Sequence, residues 1–410
     1  MRIRKTIFTS LLIVLFACMP AFANINLEVN NQSINNDEGY LLNNGVTFVE
    51  AKLINSITGA KVTTEAEDVI ITKNDKTIKL TLGEESFLVN EKSKDLIIAP
   101  YLADNQIMLP LRPVAEALGA KVAWDANSNT VNVSFLETKN GLTANDLLIK
   151  TSAISNELPT YDMEGSMDFR MNMSGIEEEG FPVDMTMNSK LYAHYEKEPL
   201  AMYTKQILSV KAPVDIPPEL STVETEAVVT ADTYYLNSPE IGWIKMDFAE
   251  LGLGDLMQTF NNQDPGTLLK QMQDFGLNPV FDNDKIINGQ NYWVIKVSID
   301  KDKFLNEYKK VLGTLPIPDI SEFDEEVTSI LNDAVFDISY VNYINTDSFM
   351  TDFMEMDMNL KMVIPSPEEN SNEKLDVNMN VSGKFNIKEA DPNFQFPDVS
   401  SALDFNSIGI

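Results

Sequence analysis

From Phe353 to Met362 the chain carries methionine at 354, 356, 358 and 362 and leucine at 360, with mostly charged or polar residues between them. A strand sends alternate side chains to opposite faces, so these five fall on one side. The same alternation places Met163, Met167, Phe169, Met171 and Met173 together, and Met185 with Met187. Thioethers at this spacing admit three chemistries. The plainest is a core face in which unbranched methionine fills gaps. The second is a cavity for varied apolar ligands such as acyl chains, which the same adaptable, polarizable side chain suits. The third is Cu(I) held by Met-x-Met pairs at Met171/Met173, Met185/Met187 and Met354/Met356/Met358. A buried face fits apolar packing better than copper, so no metal or cofactor is expected. The candidate ligand-binding set is Met167, Phe169, Met171, Met173, Met185, Met187, Met354, Met356, Met358, Leu360 and Met362.

Other chemistry-bearing residues are sparse. His194 is the single histidine, and its alternation with Ala193 and Tyr195 puts it on the polar face, where it is expected to be solvated. Asp300-x-Asp302 and the acidic run Asp319 to Glu326 match no Ca²⁺ loop and read as acidic surface. The chain has no Gly-rich phosphate loop, nucleophile elbow, Cys–His pair or zinc motif, and no catalytic residue is expected.

The elements that position the methionines begin after Gly141. Thr143-x-x-Asp146 opens a helix to about Glu157. Long alternating runs follow over Tyr161 to Met173, an acidic turn Gly175 to Gly180, and Phe181 to Tyr195. Further strands are expected over Leu200 to Val210, Val223 to Leu236, Gly242 to Met246 and Gln290 to Val297. Helical text runs from Phe248 to Phe275, broken by Asp264-Pro265-Gly266, then over Lys301 to Leu312 and Ile320 to Leu331. A last meander spans Ala334 to Tyr340, Phe353 to Met362 and Leu375 to Ile387. The stretch Pro365 to Asn372 is expected as a mobile loop, and the residues after Ala390 as a loose tail.

This half resembles the LolA-like half-barrels of bacterial lipoprotein and lipid carriers and their Gram-positive lipoprotein relatives. The resemblance is carried by the 146–157 helix running into Tyr161–Met173, by Tyr234-Tyr235 with Gly242-Trp243, by Tyr292-Trp293-Val294, and by Tyr343-Ile344-Asn345-Thr346. It implies a hydrophobic-ligand cavity between sheet and helices, without catalysis.

The first part of the chain is different. Ile25 to Val29 and Gln32 to Ile34 read as a small hairpin around Asn30-Asn31. Leu109-Pro110-Leu111-Arg112-Pro113-Val114-Ala115-Glu116-Ala117-Leu118-Gly119 predicts a helix with prolines at its entry and a glycine at its exit. An internal repeat supports it: Tyr40 to Val46 is similar to Tyr101 to Ile107, and Gly59-Ala60-Lys61-Val62 matches Gly119-Ala120-Lys121-Val122. Two α/β copies would share one core. The motif from Leu109 to Asp125 resembles the copper amine oxidase N-terminal domain, often called a stalk domain. In that family the stalk is separate from the oxidase chemistry. The first copy departs from the motif, with Phe48-Val49-Glu50-Ala51 in place of Pro-Leu-Arg. A copper oxidase centre needs about three imidazoles, and this chain has one. Nor does Asn291-Tyr292-Trp293 or Asn342-Tyr343-Ile344 supply the context of a Tyr-derived quinone. Amine oxidase activity is therefore excluded.

Bulk properties set the frame. The chain has 410 residues, 44% hydrophobic and 23% charged, enough for two cores. Arg2, Arg4 and Lys5, the apolar run Ile7 to Phe16 and Ala21-Phe22-Ala23 predict a signal peptide cleaved after Ala23. The alternative is lipidation at Cys18, the single cysteine. Without the signal the charge is 28 basic minus 62 acidic residues, or −34. That sign disfavours nucleic acid and anionic surfaces as partners. The expected fold class is α+β: a signal peptide over 1–23, a small repeat-built α/β stalk domain over 24–140, a larger curved antiparallel β half-barrel with helices on its concave side over 141–390, and a tail over 391–410. The expected role is a secreted, non-enzymatic envelope protein. Its expected partners are a lipid or other hydrophobic small molecule and an envelope or cell-wall protein bound through the stalk. The alternative is a structural surface protein with a filled β core.

Overall fold

The computed structural model describes residues 25–30, 32–34, 39–103, 105–174, 184–212, 221–238, 241–250, 265–312, 330, 334–365 and 374–407. The segments expected as the signal peptide, the Gly175 to Gly180 turn and, apart from Ile330, the helix over Ile320 to Leu331 lie outside these residues. So do most of the loop after Pro365 and residues 251–264 of the helical text. Two compact units divide at Leu136/Glu137. The fold class is α+β.

The first unit is built on the repeat. It opens with β1 (Asn26–Val29) and β2 (Gln32–Ile34), an antiparallel pair. Copy one runs β3 (Tyr40–Asn43), β4 (Val46–Glu50), α1 (Ala51–Thr58) and β5 (Lys61–Glu65). Then come β6 (Asp68–Lys73), β7 (Lys76–Thr81), β8 (Ser86–Val89) and β9 (Lys92–Asp95), which extend β5 into a five-stranded sheet. Copy two runs β10 (Tyr101–Ala103), β11 (Gln106–Pro110), α2 (Leu111–Leu118) and β12 (Lys121–Asp125), and β13 (Thr130–Ser134) follows. Both helices end on a glycine in the left-handed region, Gly59 at φ 69° and Gly119 at φ 110°. The copies join where β4 and β11 pair antiparallel, Val49 opposite Leu109. Leu53, Ile54 and Ile57 of α1 and Leu111, Val114 and Leu118 of α2 fill one core. The first copy starts its helix without the Pro-Leu-Arg of the second: Glu50, in extended conformation, occupies the cap position.

The second unit begins with α3 (Ala144–Asn156), and its capping box is formed. The Thr143 hydroxyl accepts from the Asp146 backbone N–H at 3.2 Å, while the Asp146 carboxylate accepts from the Thr143 N–H at 3.1 Å. One meander then runs through β14 (Thr160–Ser174), β15 (Asp184–Glu196), β16 (Ala201–Lys211), β17 (Thr222–Thr230), β18 (Thr233–Ser238) and β19 (Gly242–Asp247). The run expected as one strand from Val223 to Leu236 is two, because Thr230 and Asp232 make a turn in which the Thr230 hydroxyl donates to Asp232 at 2.9 Å. Helix α4 (Pro265–Asp274) starts at the proline that was expected to break the helical text. Next come β20 (Leu277–Phe281), β21 (Lys285–Ile287), β22 (Gln290–Ile299) and α5 (Lys301–Leu312). The second meander closes with β23 (Val335–Asn345), β24 (Thr351–Pro365) and β25 (Lys374–Lys388), and a short β26 (Leu403–Asp404) ends the strands.

All these strands form one large open curved sheet, in the order β20-β22-β23-β24-β25-β14-β15-β16-β17-β18-β19-β26, with β21 beside β22. Its central seam, β14 against β25, is crowded around two glycines. A Cβ on Gly165 would overlap the Phe385 ring and lie 2.9 Å from the Lys384 carbonyl. A Cβ on Gly383 would lie 3.0 Å from that ring and 3.2 Å from Met167. The Phe385 ring therefore covers both glycines, an aromatic standing in for two missing side chains.

The residues after Ala390 are fastened, not loose. Leu403 pairs parallel with Ile244. Asp162, 2% exposed, accepts at both carboxylate oxygens: from His194 Nδ1 at 2.6 Å and from the Asp391 backbone N–H at 3.1 Å. Phe394 stacks on the His194 ring at 3.8 Å and touches Tyr192 and Tyr203. His194 is thus on the expected face but buried, because chain from nearly 200 positions later covers it.

Two outcomes are expected. His194→Ala leaves the Asp162 carboxylate buried without its ring partner and should cost about 3 kcal/mol or more in urea unfolding. Hydrogen exchange in residues 389–407 should rise with it. Gly165→Val forces Phe385 aside and should cost about 1–3 kcal/mol in the same measurement.

Candidate functional site

Strand register settles which side chains share a face. Opposite Met358 of β24 stand Ile338 of β23 and Val381 of β25; Val381 faces Phe169 of β14, which faces Met187 of β15. The row beside it reads Phe336, Leu360, Met379, Met171, Met185, and the row on its other side Tyr340, Met356, Gly383, Met167, Ser189. Met362 and Met173 both flank Val377. All eleven residues expected to line a cavity therefore lie on three strands, β24, β14 and β15, on one face of the patch that these make with the intervening β25. Leu360 is buried, and the others are half-buried. Met354, in the next row, stands between Asn342 and Phe385. Alternation within a strand could not reveal the strand that intervenes: β25 contributes Met379, Val377 and Val381 to this face, with Gly383 as its low point.

Helices cover this face at its β20 end. Ala144 and Leu147 of α3 pack on Phe281, Ile295, Val297 and Ile344, with Tyr340 beside them. Phe304 of α5 lies 5.4 Å from the Phe336 ring, next to Leu360. Burial alone pushes the Tyr340 hydroxyl up to about 12. Toward β16 the face becomes polar: the fully buried Ser189 accepts from Gln206 at 2.8 Å. Among the described residues, no three His, Cys, Asp or Glu side chains converge on a point that could hold a metal ion. Asp300 is used at the start of α5, where its carboxylate accepts from the Lys303 N–H at 3.0 Å.

The opposite face also holds a cavity, of about 700 Å³. One row in register crosses it: Tyr343, Phe353, Asn386, Glu164, Tyr192, Lys205. The parallel row contains Glu355, Lys384, Ser166, Lys190 and Ile207. Tyr292 and Tyr343 pack edge-on against Phe353 at 5.5 and 6.3 Å. Burial and the neighbouring Glu355 push the Tyr343 hydroxyl up to about 12. In sequence these residues read as the solvated side of the strands. Their one signal was the aromatic residues interleaved among the charges.

Comparison with known proteins places these units. Residues 28–133 match the copper amine oxidase N-terminal domain, the likeness expected from the Leu109 to Asp125 motif. Among solved structures, LprF from Mycobacterium bovis is 13% identical, with a TM-score of 0.27, over 62% of this chain and 96% of that one. A DUF1329 family protein from Desulfovibrio piger is 11% identical, with a TM-score of 0.22, over 62% and 94%. A Vibrio parahaemolyticus domain described as an outer membrane lipoprotein-sorting protein domain is 11% identical, with a TM-score of 0.22, over 62% and 96%. No curated protein matches this chain. Residues 143–391, more than half of the chain, match a family of unknown function, and the protein belongs to that family, DUF6612.

Proposed function

We propose that the protein is a secreted, non-catalytic component of the cell envelope whose second unit binds an apolar, lipid-like ligand against its methionine face. The observation that carries this reading is the register that gathers Met167, Phe169, Met171, Met173, Met185, Met187, Met354, Met356, Met358, Leu360 and Met362 onto one face of three strands, β14, β15 and β24, with β25 between β24 and β14. β-Branched residues are the usual choice for a strand face that only packs. A face of unbranched thioethers instead adapts to chains of differing length and shape. The signal-like residues 1–23 support export, with lipidation at Cys18 as the other route. Among the described residues no helix is long and apolar enough to cross a membrane. The repeat-built first unit is assigned to a partner protein of the envelope or cell wall. The net charge of −31 disfavours nucleic acid.

A second reading has its own support. Phe304 of α5 packs on Phe336 beside the buried Leu360, as in a filled core. In that case the protein is a structural surface protein without a small ligand.

Native mass spectrometry of the protein purified from its own envelope, followed by organic extraction, separates the two. A stoichiometric lipid that is lost in Met356→Asp is the expected result. A clean apo mass with no uptake of fluorescent fatty acids would leave the methionine face as core.

A further inference from the structure

The cavity on the opposite face has a polarity of its own. Five strand-to-strand steps separate Tyr343 from Lys205 along one row, so the trough runs about 24 Å across the sheet. Its β23 end is apolar, with Tyr343, Phe353 and Ile287 at the wall. Toward its β16 end stand Lys190 and Lys205, and Lys384 of β25 lies across Ser166 from Lys190. Three lysines in one trough stand out in a chain with twice as many acidic as basic residues.

The charges here are not equally available. Glu164 is paired with Lys388 at 2.5 Å. Glu355 is paired with Lys384 at 3.4 Å and accepts from the Tyr343 hydroxyl at 3.1 Å. Lys205 is held by Glu224 at 2.6 Å. Both carboxylates are thus neutralised, while Lys190, exposed on the central strand β15, has no carboxylate partner among the described residues. The floor beside it is Ser166, a small side chain that stands between Lys384 and Lys190.

We propose that this trough is a second binding site, separate from the methionine face, for a single-chain anionic amphiphile: a carboxylate or phosphate head at Lys190 and an apolar chain lying across the sheet toward Tyr343 and Phe353. A compact ammonium serves a carboxylate or a phosphate equally well as a point charge. The aromatic end supplies apolar area that an inorganic anion would not use. A cavity of about 700 Å³ is within the size range of small-molecule sites. The proposal stands whether or not the methionine face carries a ligand.

The test is titration calorimetry on the full-length protein with oleate, oleyl phosphate and oleyl alcohol, repeated with Lys190→Glu, Ser166→Trp and Met356→Asp. Lys190→Glu changes an exposed side chain and leaves the fold intact. Oleate or oleyl phosphate should bind more tightly than the alcohol, and the tighter of the two identifies the head group. Lys190→Glu should weaken the anion by about tenfold or more and leave the alcohol unchanged. Ser166→Trp should remove the component of binding that Lys190→Glu weakens, and Met356→Asp should leave that component in place. The site is overturned if none of the three ligands binds or if the alcohol binds as tightly as the anions. It is equally overturned if Lys190→Glu has no effect while Met356→Asp abolishes binding.

Discussion

The second unit depends on the fixed two-residue period of its strands, kept in register across at least four of them. β14, β24 and β25 are each fifteen residues long, and their pairing carries no shift along the central seam. A one-residue slip at any of these seams would carry the methionines on one side of it to the charged side. That is why small features at the seam matter. Gly165 and Gly383 make room for Phe385, which locks β14 to β25 at one register because no neighbouring pair offers the same space.

The same constraint gives the sheet two chemically distinct sides. One is thioether and aliphatic, covered at the β20 end by α3 and α5. The other is a lattice of Lys–Glu pairs and tyrosines, such as Lys388 with Glu164 and Tyr203 with Glu226 at 2.6 Å. Glu226 is held below the usual carboxylate range by the hydroxyl of Tyr203 and the amide of Asn237. These cross-strand pairs contribute little stability singly at an exposed face. They do fix which side chains are satisfied internally and which, like Lys190, are left for something else.

Much of this was legible in the residues, for physical reasons. Alternation over fifteen residues has one reading, so the methionine face could be placed from β14, β15 and β24 alone. Capping chemistry is local, so Thr143 and Asp146 announced α3, and Gly59 and Gly119 announced two helix ends. What could not be read is which distant segments come together. Strand β25 wedges itself between β14 and β24, and Phe394 folds back onto His194. Both depend on contacts across some two hundred positions, and neither leaves a periodic trace. The opposite trough was illegible for another reason. Its lysines are spread over three strands, and only register reveals that they surround one space.

The seam between β14 and β25 has a further meaning for how the chain is made. The strands on either side of it are two meanders, each assembled from hairpins between sequence neighbours, and such contacts form quickly. The seam itself joins residues more than two hundred positions apart, Asp162 with Lys388 at one end and Ser174 with Asp376 at the other. A chain emerging from its N-terminus completes β14 to β19 long before β25 exists. Until then, β14 is an unpaired edge fifteen residues long that carries five of the chain's methionines and phenylalanines on one side. Such an edge is a template for pairing with another chain. The interval before the last long strand arrives is when this protein is most exposed to misassembly, and anything that shields that edge during synthesis acts at this seam.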